Sequence, residues 1–311
     1  MTTLTRSSTS ASTAPQSPRR VPRGRNRHPW WFLLPAFAFI IVFFALPVAA
    51  NFVFPFTNWS TFHSDIRFVG FDSFADVLGD GSLANSLRTT LVYAVLVAIF
   101  SNVFGLALAL LLERDTRVNR FGRAAFFLPV LMSALATGYV FQAILKADGA
   151  LNSALALLAG QPVDIEWLGS MDWTIVVAAL VHTWKWVGMN MLIFLAGLKN
   201  IPTDSLEAAS IDGASRWQSL RLIKIPLLAP AFTFNIATGL LSTLNSFDVI
   251  QALTGGGPAR STEVLNIFIF RTFGSGLYAQ STAMSLVLFL VVVVLAIPVI
   301  GFLRGRERAM S

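Results

Sequence analysis

The sequence predicts an all-α membrane protein with six transmembrane helices and both termini in the cytoplasm, on three observations. Of its 311 residues 55% are hydrophobic and 13% charged, with a mean hydropathy of +0.66, far from the balance of a water-soluble domain. Six runs reach the roughly 20 apolar residues that a helix needs to cross a bilayer: 30–54, 88–112, 124–145, 174–196, 226–245 and 282–303. Lys and Arg crowd the segments on one side of these runs and are sparse on the other. The runs are continuous, without the alternation of a barrel strand, so helices are the form that satisfies the backbone in lipid.

Residues 1–29, rich in Ser, Thr, Pro and Arg and free of acids, lack the apolar content to fold and read as a disordered basic tail. The first run and its loop occupy 30–87. A cleaved signal peptide ending near Val48-Ala49-Ala50 is the rival reading, but the run is too long for a signal core and its removal leaves five spans. Residues 88–303 form the core, and 304–311 a short tail. The basic side holds Arg6, Arg19, Arg20, Arg23, Arg25 and Arg27 of the tail, the loop with Arg114, Arg117, Arg120 and Arg123, the loop with Lys199, Arg216, Arg221 and Lys224, and Arg304, Arg306 and Arg308. Opposite them lie only Arg67, Lys146, Arg260 and Arg271, with Arg88 at a boundary and Lys185 inside a span. The basic side is therefore cytoplasmic, and an even number of spans brings both termini there.

The net charge of +7 does not point to nucleic acid, because the basic residues mark membrane boundaries and form no stripe with interleaved aromatics. There is no cysteine, and His28, His63 and His182 are too far apart for a local metal-ligand pair. Asp148, Asp164, Glu166 and Asp172 lie in one loop and read as solvated charges. The Gly255-Gly256-Gly257-Pro258 cluster lacks the Lys and Ser or Thr of a phosphate loop and reads as a turn or partner contact, while Gly274-Ser275-Gly276 is no nucleophile elbow. No catalytic constellation emerges, so energy for any work must come from a partner.

Polar residues inside the spans are more telling, because lipid penalises them unless they find partners. The fourth span carries His182, Lys185 and Asn190; the fifth carries Asn235, Ser242, Thr243, Asn245 and Ser246. Lys185 is too central to reach the interface, and Asp248 is the acid nearest to a span, so Asp248, a carbonyl, a second subunit or a polar substrate must satisfy it. Lys185, Asn190, Asn235, Ser242 and Asn245 are the candidate lining of a substrate pathway, with Trp184 and Trp186 offering apolar faces. The plainer alternative for each is hydrogen bonding between helices.

Between the fourth and fifth spans runs EAASIDGASRWQSLRLIKIPLLAP, from Glu207 to Pro230. A helix is expected from Pro202, with Asp204 and Glu207 as a capping box. Asp212-Gly213 then interrupts it, and Ser215 caps a second short helix containing Trp217, Leu220 and Ile223. Two short helices around a glycine make a cytoplasmic knob whose apolar residues need a cover.

These residues carry a resemblance. Glu207-Ala208-Ala209, Asp212-Gly213-Ala214, Ile225-Pro226 and Pro230 resemble the coupling (EAA) loop of permease subunits in bacterial binding-protein-dependent ABC importers. Phe68-Val69-Gly70-Phe71-Asp72-Ser73-Phe74, Leu195-Ala196-Gly197-Leu198 before Ile201-Pro202, and Phe247-Asp248-Val249-Ile250 through Leu253-Thr254-Gly255-Gly256-Gly257-Pro258 to Thr262 are similar to the carbohydrate-uptake branch, the maltose-type and glycerol-phosphate-type permeases. Leu220 stands where Phe is frequent and Ile225 where Leu is usual, and the six spans match the shorter members.

The resemblance implies a type I ABC importer permease fold in the bacterial cytoplasmic membrane. It implies that Glu207, Ala208, Ala209, Asp212, Gly213 and Ala214, in a loop of 200–226, couple to an ATPase dimer, and that Gly255, Gly256, Gly257 and Pro258 lie near a docked solute-binding protein. It further implies a second homologous permease, a sugar or oligosaccharide as substrate, and ATP and magnesium held by the ATPase, with no cofactor or metal in this chain and no enzymatic activity of its own. A secondary transporter, which needs ionisable coupling groups within its spans, and a membrane signalling subunit are the alternatives.

Overall fold

Backbone groups with no water to bond must pair within their own segment, and long apolar helices dominate the described chain accordingly. The computed structural model describes residues 30–79 and 81–310; the expected basic tail 1–29 and its arginines lie outside them. The chain divides into two compact units, 1–48 and 49–311. The described part of the first is helical; Trp31 stacks on Phe32 and Phe39 lies tilted against Phe43, with ring centroids 4.5 and 4.7 Å apart.

Among the described residues four helices are long and apolar enough to cross a membrane, and two bent pairs bring the count to six if each pair is one span. We label them with the shorter helices as α1 (Trp31–Phe56), α2 (Asp72–Gly79), α3 (Ser82–Leu111), α4 (Arg117–Leu131), α5 (Ala134–Ile144), α6 (Ala150–Ala159), α7 (Thr174–Lys199), α8 (Thr203–Ile211), α9 (Arg216–Leu227), α10 (Ala229–Leu244), α11 (Asp248–Leu253), α12 (Leu265–Gly274) and α13 (Tyr278–Met310). The apolar part of α13 is Tyr278–Val299, and the tail expected from 304 continues it as helix to Met310.

The two bends refine the expected spans. The third, expected unbroken over 124–145, turns by 101° between α4 and α5, where Pro129 sits in the tightened turn Leu128–Leu131 and Met132 is extended. The fifth turns by 62° between α9 and α10, just before Pro230, whose ring disfavours continuous helix through the preceding residue.

Within the second unit α3 and α7 are the central pair. Small residues let them meet: a Cβ on Gly105 would stand 2.9 Å from the Asn190 Cβ. Tyr93 and Val97 of α3, Ala178 and Val181 of α7, and Val249, Ile250 and Leu253 of α11 share one buried cluster. Ala109, Met191, Phe194, Leu198, Leu228 and Ala231 form a second at the other end of the pair, and Val77, Leu83, Leu265, Met284 and Leu288 a third. The short α11 is thus packed into the bundle, and the Thr90 hydroxyl of α3 accepts the first backbone N–H of α12, 2.9 Å away.

Candidate functional site

Three regions gather the sequence-predicted residues. The first is the segment 200–227. The Asp204–Glu207 capping box does not form: the residue before α8 is Pro202, no side chain caps the helix, and Asp204 lies within the first turn, where its charge complements the helix dipole. At the far end Ala214 N–H bonds the Ala209 carbonyl at 2.9 Å and Gly213 N–H the Ser210 carbonyl at 3.2 Å. That is a Schellman motif, and it requires the left-handed residue that Gly213 supplies at φ +75°. A Cβ there would meet nothing within 4 Å, so the backbone angle demands glycine and crowding inside this chain does not.

Ser215 then caps α9 as expected, in a full capping box with Gln218. The second helix is longer than expected, running through a wide turn at Leu220–Lys224 to Leu227. Leu206 packs against the cluster around Ile201 and Leu228, which anchors α8. Glu207, Ala208 and Asp212 stay exposed, as do Ile211 (86%) and Trp217 (65%). A groove of about 540 Å³ runs beside the knob, lined by Glu113, Arg114, Leu206, Ser210, Arg216 and Lys224 among others.

The second region is a cavity of about 280 Å³ between α3, α7 and α10. It brings together Asn190, Asn235 and Ser242 with Ser101, Asn102, His182, Trp186 and Thr238. Asn102 and Asn235 are buried, and the side-chain carbonyl of each lacks a hydrogen-bond donor. Their amide nitrogens are engaged: Asn102 Nδ2 donates to the Ala98 carbonyl at 2.7 Å, Asn235 Nδ2 to that of Asn190 at 3.5 Å. His182 Nδ1 lies 2.9 Å from the Tyr93 hydroxyl. None of the described residues lining the cavity carries a carboxylate, and the cavity is built to accept hydrogen bonds and to cover apolar surface with Trp186, Ile193 and Phe234. Sequence reasoning missed Asn102, although an Asn in the middle of an apolar run was itself a signal.

The other two pathway candidates lie elsewhere. Asn245 lines a separate, more open cavity of about 450 Å³ with Asn51, Asn266 and Phe270. Lys185, 3% exposed, turns to the bend of the third span, where Nζ donates to the carbonyls of Met132 at 2.8 Å and Val130 at 3.2 Å and stands 4.6 Å from the Trp186 ring centroid. Of the partners expected for it, carbonyls are the ones found, and no carboxylate of the described residues pairs with it. A Cβ on Gly188 would collide with the Phe126 carbonyl, so α7 lies directly against α4 one turn from Lys185.

The third region is the loop after α11. Gly256 is left-handed at φ +91°, and a Cβ on it would press on Ile267, Arg271 and Glu263 at 3.3–3.4 Å. Glu263, 1% exposed, pairs with Arg271 at 2.7 Å and Arg260 at 3.5 Å, while its Oε1 has no donor. Thr254 and Thr262 hydroxyls, 2.7 Å apart, close the loop's neck. Acids between spans are normally solvated, so nothing in the sequence marked Glu263 as buried. Asp148, Asp164, Glu166 and Asp172 are exposed.

Residues 101–311 match the family described as binding-protein-dependent transport system inner membrane component. Among relatives, the probable starch degradation products transport system permease protein AmyD of Thermoanaerobacterium thermosulfurigenes is 30% identical over 90% of this chain and 95% of its own. The multiple sugar-binding transport system permease protein MsmF of Streptococcus mutans is 30% identical over 86% and 92%. A solved chain of a bacterial alginate ABC transporter, in complex with an alginate pentasaccharide-bound periplasmic protein, shares the fold at a TM-score of 0.74 and 21% identity, over 90% of this chain and 94% of that one. The chain belongs to the binding-protein-dependent transport system inner membrane component family.

Proposed function

We propose that this chain is the membrane-spanning subunit of an ATP-driven importer of sugars or oligosaccharides, supplying half of the pathway and coupling it to a separate ATPase. The observation that carries the reading is the cavity between α3, α7 and α10. Two buried amide oxygens without donors, beside an indole face and hydroxyls, complement the O–H groups and apolar faces of a carbohydrate. The relatives' names, for starch degradation products, multiple sugars and lactose, favour the same class.

In this reading both termini and the knob are cytoplasmic, as the Lys and Arg distribution argues. The ATPase dimer, which holds ATP and magnesium, receives the exposed face of α8 and α9 with Glu207, Asp212 and Gly213. A second homologous permease completes the cavity in the cytoplasmic membrane of the cell. A solute-binding protein docks on the opposite side near Gly255–Pro258 and delivers the substrate. Closure of the ATPase pair moves the two knobs and turns the cavity from outward-facing to inward-facing. Asn102, Asn235 and Ser242 then hold the substrate only in passage, which suits a few hydrogen bonds better than a deep, charged site.

The test is to purify this chain with its co-expressed partners, reconstitute the complex in proteoliposomes and measure ATP-dependent uptake of lactose, maltose, trehalose and maltotriose. Accumulation of at least one sugar, reduced in an Asn102→Ala/Asn235→Ala variant, supports the reading. Recovery of the chain without an ATPase, or accumulation driven by an ion gradient alone, contradicts it.

A further inference from the structure

The knob continues into α10 through the covalent chain and is anchored by Leu206, and an ion pair gives it a further attachment. Lys224, in the wide turn just ahead of the 62° bend, donates to both carboxylate oxygens of Glu113, at 2.9 and 2.8 Å. The two side chains are 19% and 35% exposed, so water screens this pair less than an ordinary surface pair. Glu113 is in turn not free to follow Lys224. Arg123 of α4 donates to the carbonyls of Leu112, Glu113 and Arg114, the closest contact being 2.6 Å to Leu112. These carbonyls follow the end of α3, where helices leave acceptors unpaired, so one guanidinium joins the end of α3 to α4. Ser101 and Asn102, which line the cavity, stand on the same α3 about three turns back from this clasp, and a helix transmits displacement along its axis.

We propose that the Glu113–Lys224 ion pair is a positioning strut that makes the knob and the end of α3 move as one body. A push on α8 then reaches the α3 wall of the cavity directly, as well as α10 through the chain. This rests on the transport reading above. The strut predicts a pair of residues whose charges matter to coupling and not to assembly, because neither lies in the cavity or on the exposed face of α8.

The sequence contains no cysteine, so nitroxides can be placed at Leu111→Cys and Leu222→Cys, both exposed positions. Their separation is measured by pulsed electron resonance in the reconstituted complex, without nucleotide and with ATP plus vanadate. Uptake of the four sugars above and ATP hydrolysis are measured in parallel. The strut predicts one narrow distance in both states. Lys224→Met should make it broad or nucleotide-dependent and lower uptake per ATP hydrolysed about fivefold or more, the lower range of a coupling free energy. The exchange Glu113→Lys/Lys224→Glu should recover most of both, which a general folding defect would not. A nucleotide-dependent distance in the unsubstituted pair, normal uptake per ATP in Lys224→Met, or no recovery in the exchange would overturn the strut. A wild-type complex with no ATP-driven uptake overturns the transport reading itself, before any variant is compared.

Discussion

The knob of 200–227 and the loop of 254–264 are both short, glycine-punctuated connections between spans, yet they are built in opposite ways. Around Gly213 there is empty space, and Ile211 and Trp217 on either side face outward. Around Gly256 the loop is full: Glu263, Ile267 and Arg271 crowd it, the buried Glu263 carboxylate is paired beside it, and a threonine pair closes it. A loop that holds itself together needs no second protein to exist. A knob that leaves apolar side chains uncovered is, in the proposed reading, completed by a partner. Substitutions in the loop should therefore act mainly on stability, and those on the knob mainly on transport.

The widest separation is expected from Glu263→Ala. It removes the anion that Arg271 and Arg260 share, and because both arginines retain access to water the loss should be about 2 kcal/mol, below that of a fully buried pair. Thermal unfolding of the detergent-solubilised chain checks this; a melting temperature equal to wild type would erase the contrast. Next is Gly213→Ala, which places a side chain in the left-handed region at a cost of about 1 kcal/mol. Ser215→Ala should cost about the same through loss of the capping box. Both should leave insertion intact and register in the unfolding curve of the same preparation.

Smallest in stability is Trp217→Ala, expected within about 0.5 kcal/mol because the ring is largely exposed. Its effect should appear instead in the amount of ATPase that co-purifies with the chain. A stability loss as large as that of Glu263→Ala would show that the ring packs internally and would dissolve the comparison.

Much of this was legible in the sequence, and for identifiable reasons. The four long apolar helices and the apolar segments of the two bent pairs follow from length and hydropathy alone, and Gly213 and Ser215 fell at their structural posts because Schellman and capping motifs are local. The 101° bend was not legible, since the carbonyls freed at Val130 and Met132 are satisfied by Lys185, some fifty residues on. Local reasoning saw Lys185 as an unpaired charge and offered it a carbonyl or a substrate; only the packing of α7 on α4 selects the carbonyls. Asp204 failed as a cap because Pro202 starts the helix two residues early. Glu263 and Glu113 escaped notice because an acid between spans is ordinarily solvated, whereas Glu263 is buried between Arg260 and Arg271 and Glu113 is half-buried against Lys224, far along the chain.

The central claim is that the knob serves a partner ATPase and the cavity serves a sugar. Gly213→Asp tests it most directly, because the site has room within this chain and the added carboxylate meets only what docks there. In proteoliposomes of the full complex, ATP-driven uptake of lactose, maltose, trehalose and maltotriose should fall at least about tenfold, more than the local backbone strain explains, while the variant inserts and melts like wild type to within about 1 kcal/mol. Uptake at the wild-type rate by that variant would contradict the account.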